Sequence, residues 1–104
     1  MTPETDIPDL ARAHREGAVV VDVREPSEYA AGHVPGALNA PLATVAGRAG
    51  ELPDGRLYVV CAGGNRSKAA TDVLRRAGRD AVSVVGGTKG WVSAGHPVTK
   101  GARP

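Results

Sequence analysis

The segment Leu57-Tyr58-Val59-Val60-Cys61-Ala62-Gly63-Gly64-Asn65-Arg66-Ser67 sets the only cysteine of the chain between an apolar run and a helix start. The first four residues are apolar without alternation, the pattern of a strand buried on both faces. Lys68 to Ala77 follows at helical spacing, with Ser67 placed as its N-cap. A strand, a glycine-rich turn and a helix in that order aim several backbone N–H groups at one point, next to the positive end of a helix dipole. An anion is stabilised there, and a thiolate is an anion. The cysteine pKa should therefore fall below its usual value of roughly 8.5. Gly63 and Gly64 let the backbone curl around the sulfur, and Arg66 adds a permanent cation at the rim. A lone cysteine is commonly a small buried hydrophobe. Burial alone does not account for two glycines, an arginine and a helix start within six residues of the sulfur. Cys61 is therefore the candidate catalytic nucleophile, and Ala62, Gly63, Gly64, Asn65, Arg66 and Ser67 are the candidate binding loop.

Working outward, three more segments read as strands: Ala18 to Val21, Ala37 to Asn39 and Ala81 to Val85. Helical stretches alternate with them. Pro8 to Glu16 is closed by Gly17, and the turn from Pro26 to Ala31 is closed by Gly32. Leu42, Val45, Ala46 and Ala49 share one face of a helix that stops before Pro53, and Thr88 to Ser93 carries Trp91. After the loop, Ala69, Ala70, Val73, Leu74 and Ala77 form one apolar stripe. Arg75, Arg76 and Arg79 read as a solvated face at that helix's negative end. All-apolar strands alternating with helices define the α/β class with a largely parallel sheet, helices covering both faces. Ligands of such sheets sit at the carboxyl ends of the strands. Asp22 and Arg24 leave one such end and Gly86-Gly87 another, so these four are candidate wall residues. Asp22 and Arg24 are also placed to pair with each other. His33 lies in the turn cluster His33-Val34-Pro35-Gly36 and reads as a loop tie.

The chain of 104 residues reads as one domain, with a core from about residue 5 to 98 and short flexible tails, Met1 to Asp6 frayed at one end. With no Phe, one Trp and two Tyr, the core must come from Val, Leu and Ala. A net charge of +2 with interleaved signs does not suit a nucleic-acid binder, and no apolar run reaches membrane-span length. One cysteine forms no internal disulfide and fits a reducing compartment, so the expected location is cytoplasmic. The N-terminus lacks a signal-peptide pattern. His14, His33 and His96 are scattered, with no second thiol, so neither a metal site nor any other cofactor is expected.

The loop residues Cys61, Gly64, Arg66 and Ser67 fill the pattern C-x-x-G-x-R-S, and here the chain resembles the rhodanese family of sulfurtransferases. Asp22-Val23-Arg24-Glu25, Glu28-Tyr29, Gly32-His33-Val34-Pro35-Gly36-Ala37 and Gly86-Gly87 to Trp91 are similar to the family's other signatures, in the same order. The resemblance implies a small rhodanese-like domain of about five strands, with the cysteine after the fourth and Trp91 as a prop behind the loop. It implies an enzyme moving a sulfane sulfur from thiosulfate, a persulfide or a polysulfide to cyanide, a thiol or a partner protein. The carrier would be a Cys61 persulfide in a monomer whose partners are small sulfur donors and acceptors and a sulfur-relay protein. Two other readings stand beside it: a cysteine phosphatase or arsenate reductase, and a non-catalytic persulfide carrier or sensor. Cysteine phosphatases place five residues between Cys and Arg, whereas Ala62 to Asn65 makes four here. The tighter loop suits a single sulfur atom. Thiosulfate-preferring members carry extra basic residues where this chain has Gly63 and Glu28, which counts against thiosulfate as the natural donor.

Overall fold

In a computed structural model describing residues 1–104, the chain alternates strand and helix throughout. The elements are β1 (Glu4–Thr5), α1 (Ile7–Arg15), β2 (Val19–Asp22), α2 (Pro26–Ala31), β3 (Leu38–Asn39) and α3 (Leu42–Arg48). A 3-10 turn (Ala49–Glu51) follows, then β4 (Leu57–Val60), α4 (Asn65–Arg76), β5 (Ala81–Val84) and α5 (Gly87–Ser93). All strand pairs are parallel, in the order β1-β5-β4-β2-β3. β4 therefore lies at the centre, flanked by the strands that end in Asp22 and in the Gly86-Gly87 turn.

The two-residue period of the strands divides the core. Val20, Tyr58, Val60, Val82 and Val84 face α1 and Trp91 of α5, around Leu10, Ala11 and Ala13. Val21, Val59, Leu57, Ala81 and Cys61 face the other way, onto Val45 of α3 and Ala70 and Leu74 of α4. Valine and alanine suffice for this core because each central strand is covered on both sides.

Several expectations need correction. Glu4–Thr5 is not frayed: Ser83 N donates to Pro3 O at 2.9 Å and Val85 N to Thr5 O at 2.8 Å, making β1 the sheet edge. Two polar residues carry no apolar alternation, so only the open backbone of β5 selects them. The start of α1 is capped by Asp6, whose side chain accepts from Asp9 N at 3.0 Å. The C-terminal segment is likewise tied, since His33 and Thr99 exchange two backbone hydrogen bonds of 2.9 Å. On α4 the buried stripe is Ser67, Ala70, Thr71 and Leu74, while Ala69 and Ala77 are exposed. Arg79 also departs from the solvated-face reading: it turns back onto the carbonyls of Ala49, Leu52 and Pro53, closing the turn after α3.

No helix is long and apolar enough to cross a membrane. No group of three or more His, Cys, Asp or Glu side chains is placed to hold a metal ion.

Candidate active site

Cys61 follows the last residue of β4, at the carboxyl edge of the sheet, and is only 1 % exposed. The chain turns through Ala62 and Gly63 and enters α4 at Asn65, three residues earlier than its sequence suggests. Gly64, not Ser67, is the N-cap, with φ 133°, a conformation open to glycine and strained for other residues. The turn brings Gly64 N to 3.0 Å from the Cys61 Sγ. Ser67 sits inside the first turn of α4 with Oγ 3.5 Å from the sulfur. The same oxygen lies 3.0 Å from Gly64 O and 2.8 Å from Ser83 Oγ.

Burial pushes the Cys61 thiol up, but the Ser67 hydroxyl and the backbone N–H groups of Ser67, Gly64 and Gly63 push it down. The donors prevail, and the thiol lies below its ordinary value. Ser83 was not among the sequence candidates. Its signal was present as the one polar residue in the run Ala81-Val82-Ser83-Val84-Val85. It is 1 % exposed and its hydroxyl meets only Ser67, so a buried hydroxyl pair backs the sulfur.

Arg66 takes a different partner from the one its position suggests. Its guanidinium forms a two-pronged pair with Glu28 of α2, Nη1–Oε1 at 2.7 Å and Nη2–Oε2 at 3.0 Å. The Arg66 hydrogen bond and then the Glu25 N–H hold the Glu28 carboxyl down at about 2, and the same pair raises Arg66. Both stay charged at any physiological pH, so the cation at the rim is already neutralised by a carboxylate.

Asp22 and Arg24 pair with each other. Asp22 accepts from Arg24 Nη2 at 2.7 Å, from Nε at 3.0 Å and from Arg24 N at 3.0 Å, at 0 % exposure. Arg24 Nη2 also donates to Gly32 O at 2.8 Å. Asn39 Nδ2 donates to the carbonyls of Asp22 and Arg24, both at 3.0 Å. Asp22 is thus a brace rather than a wall, and it fixes where α2 leaves the sheet. His33 is a tie: fully buried, it stacks on Tyr29 at 3.7 Å and its Nδ1 lies 2.9 Å from Tyr29 O. A carbonyl only accepts, so Nδ1 carries the proton.

The support behind the loop comes from the first turn of α5, not from the Trp91 ring, which packs on the opposite face of the sheet. Thr88 N donates to Cys61 O at 2.8 Å and Lys89 N to Ala62 O at 3.1 Å. These bonds require the helix to touch the loop at Gly87. A Cβ there would overlap Cys61 O and come within 2.8 Å of Ala62 O, and φ is +55°. Gly87→Ala is expected to cost about 3 kcal/mol, from overlap plus backbone strain, and to displace the loop. Urea unfolding would check it. A cost no larger than that of Gly95→Ala, where φ is +88° and a Cβ meets nothing within 4 Å, would disprove the contact.

A parallel α/β sheet with one cysteine cradled in N–H donors at its carboxyl edge is a setting in which an anionic sulfur is stabilised. The chain belongs to the rhodanese-like domain family, whose model matches residues 7–94. It is 41% identical over 98 residues to an HTH-type transcriptional regulator of Mycobacterium tuberculosis, covering 90% of this chain and 43% of the regulator. It is 36% identical over 78 residues to a proposed sulfur carrier protein of Bacillus subtilis, YrkF, covering 73% of this chain and 42% of the relative. The chain thus spans less than half the length of these curated relatives. The crystal structure of a thiosulfate sulfurtransferase from Pseudomonas aeruginosa superposes with a TM-score of 0.88 at 30% identity, covering 98% of this chain and 21% of that one.

Proposed function

We propose that the chain is a sulfurtransferase that carries sulfane sulfur on Cys61. The thiolate attacks the outer sulfur of a donor, and the donor's S–S bond breaks with its electron pair leaving on the donor. Cys61 is left as a persulfide. A thiophilic acceptor such as cyanide or a thiol then takes the terminal sulfur and frees the thiolate. These are two half-reactions of covalent catalysis with ping-pong kinetics. The observation that carries the reading is the cradle itself: Gly64 N 3.0 Å from a buried Sγ, with the thiol held below its usual value by N–H and O–H donors. Membership of the rhodanese-like family and the likeness to a proposed sulfur carrier support the same chemistry. Intact-mass analysis tests it. Incubation with polysulfide or thiosulfate should add one sulfur, and cyanide should remove it as thiocyanate. Hydrolysis of an aryl phosphate without sulfur uptake would replace this reading with a phosphatase.

The donor preference follows from Glu28. A thiosulfate dianion meets a guanidinium already bound to a carboxylate, so it should bind weakly. Glu28→Gln removes the competing charge and should raise kcat/KM for thiosulfate roughly five- to tenfold at low ionic strength. That is the scale of about 1 kcal/mol for one half-exposed charge, and the gain should shrink with added salt. Stability should change by about 1 kcal/mol or less, since pairs this exposed contribute little. Unchanged thiosulfate kinetics in Glu28→Gln would remove Glu28 from donor selection.

A further inference from the structure

Beside the loop lies a cleft of about 570 Å3 that the sulfur chemistry alone leaves unused. Its apolar wall is Ala31, Ala62, Val92 and Val98. Val92 is 53 % exposed, one of very few large hydrophobic side chains left in solvent. Three charged side chains border the cleft, and two are already neutralised: Arg24 by Asp22, and Glu28 by Arg66. Lys89 makes no ion pair. The cleft is physically joined to the cysteine loop. Ala62 belongs to both, and the backbone of Thr88 and Lys89 is hydrogen-bonded to Cys61 O and Ala62 O. Thr88, also in the wall, keeps a hydroxyl with no hydrogen-bond partner.

A volume in the small-molecule range, an apolar wall and one free cation describe a ligand with a hydrocarbon body and a single negative group. A small inorganic ion would leave most of this space empty and the apolar wall without a role. We propose that the cleft seats the organic body of a small thiol persulfide bearing a carboxylate, the carboxylate on Lys89 and the terminal sulfur directed past Ala62 toward Cys61. The proposal rests on the persulfide reading above and names the donor class for that site. In the step, Cys61–S⁻ and R–S–SH give Cys61–S–SH and R–S⁻. The new bond joins Sγ to the terminal sulfur. The donor's S–S bond breaks, its electron pair leaves on the R–S⁻ thiolate, and the proton stays with the transferred sulfur. No external oxidant or reductant enters. Glu28 and Lys89 then act together: one discourages a dianion at the loop, the other rewards a monoanion in the cleft.

The test compares rates of Cys61 sulfur loading, by rapid quench and intact mass, with four donors. These are the persulfides of 3-mercaptopropionate (anionic), 2-mercaptoethanol (neutral) and cysteamine (cationic), and inorganic polysulfide. Wild type should load from the anionic persulfide about tenfold faster than from the neutral one, the scale of one charge-assisted contact. Lys89→Glu should invert the order and favour the cysteamine persulfide, which loss of packing alone would not do. Val92→Asn should slow all three organic persulfides relative to polysulfide. Lys89→Glu with the wild-type order of donors would overturn the cleft assignment while Cys61 loading stood. Failure of every donor, polysulfide included, to load wild type would overturn the persulfide reading and the cleft proposal with it.

Discussion

Cys61→Ser is expected to take up no sulfur and to produce no thiocyanate above the uncatalysed rate. A serine hydroxyl accepts no sulfane sulfur at neutral pH, so the covalent intermediate has no place to form. The substitution is small and the site buried, so the fold should survive and the loss should be chemical. The wild-type pH profile carries the second half of the expectation. The reactive form is the thiolate, and its folded-state pKa is lowered by Ser67 and the loop N–H groups against the effect of burial. Alkylation of Cys61 by iodoacetamide should therefore rise with pH to a midpoint below that of a free thiol, and fall as the pH drops through that midpoint. Ser67→Ala removes the hydroxyl 3.5 Å from the sulfur and should move the midpoint upward. A Cys61→Ser protein that forms thiocyanate at the wild-type rate would end the mechanism.

Asp22→Ala should produce the largest loss of stability, about 3 to 5 kcal/mol. It strands a buried guanidinium that now has a carboxylate for its partner. The exposed Glu28–Arg66 pair has nearly the same N–O distance, 2.7 Å, yet should contribute about 1 kcal/mol or less. The distance is shared and the burial is not, so burial decides the difference. The double variant Asp22→Ala with Arg24→Leu should recover much of the loss, because no charge is then left buried alone. Activity should fall along with stability, since Arg24 holds Gly32 O at the end of α2, the helix that carries Glu28. Urea unfolding of Asp22→Ala, Glu28→Ala and the double variant would check this. Equal costs for the two single variants would show that Asp22–Arg24 is not a buried brace.

The strands at the centre of the sheet were legible because burial on both faces leaves a mark on every residue. Val19 to Asp22, Leu57–Val60 and Ala81–Val84 are apolar almost throughout, and each forms a strand at or within one residue of the expected bounds. The edge was not legible. Glu4–Thr5 pairs through its backbone alone, and its side chains say nothing about β5. Ser67 shows the same limit at the site. As a lone residue before a helix it has the chemistry of an N-cap, and only the early start of α4 turns its hydroxyl inward to the sulfur and to Ser83.

The α/β alternation, the place of Cys61 at the end of a buried strand, and the glycine loop that wraps it can all be read from the residues. Those features are local: a run of apolar residues, a turn that needs glycine, a helix that follows. The tertiary structure alone decided the partners of the charges. Arg66 and Glu28 lie 38 residues apart, and nothing in their neighbours marks them as a pair. The fold lays α2 beside the start of α4, and the shared rim makes them one. Residues of α2 and α5 line one apolar cleft, and Lys89 stands unpaired at its border. An electrostatic partnership falls off over a few ångströms, so it depends on the distance between side chains in space, which separation along the chain does not specify.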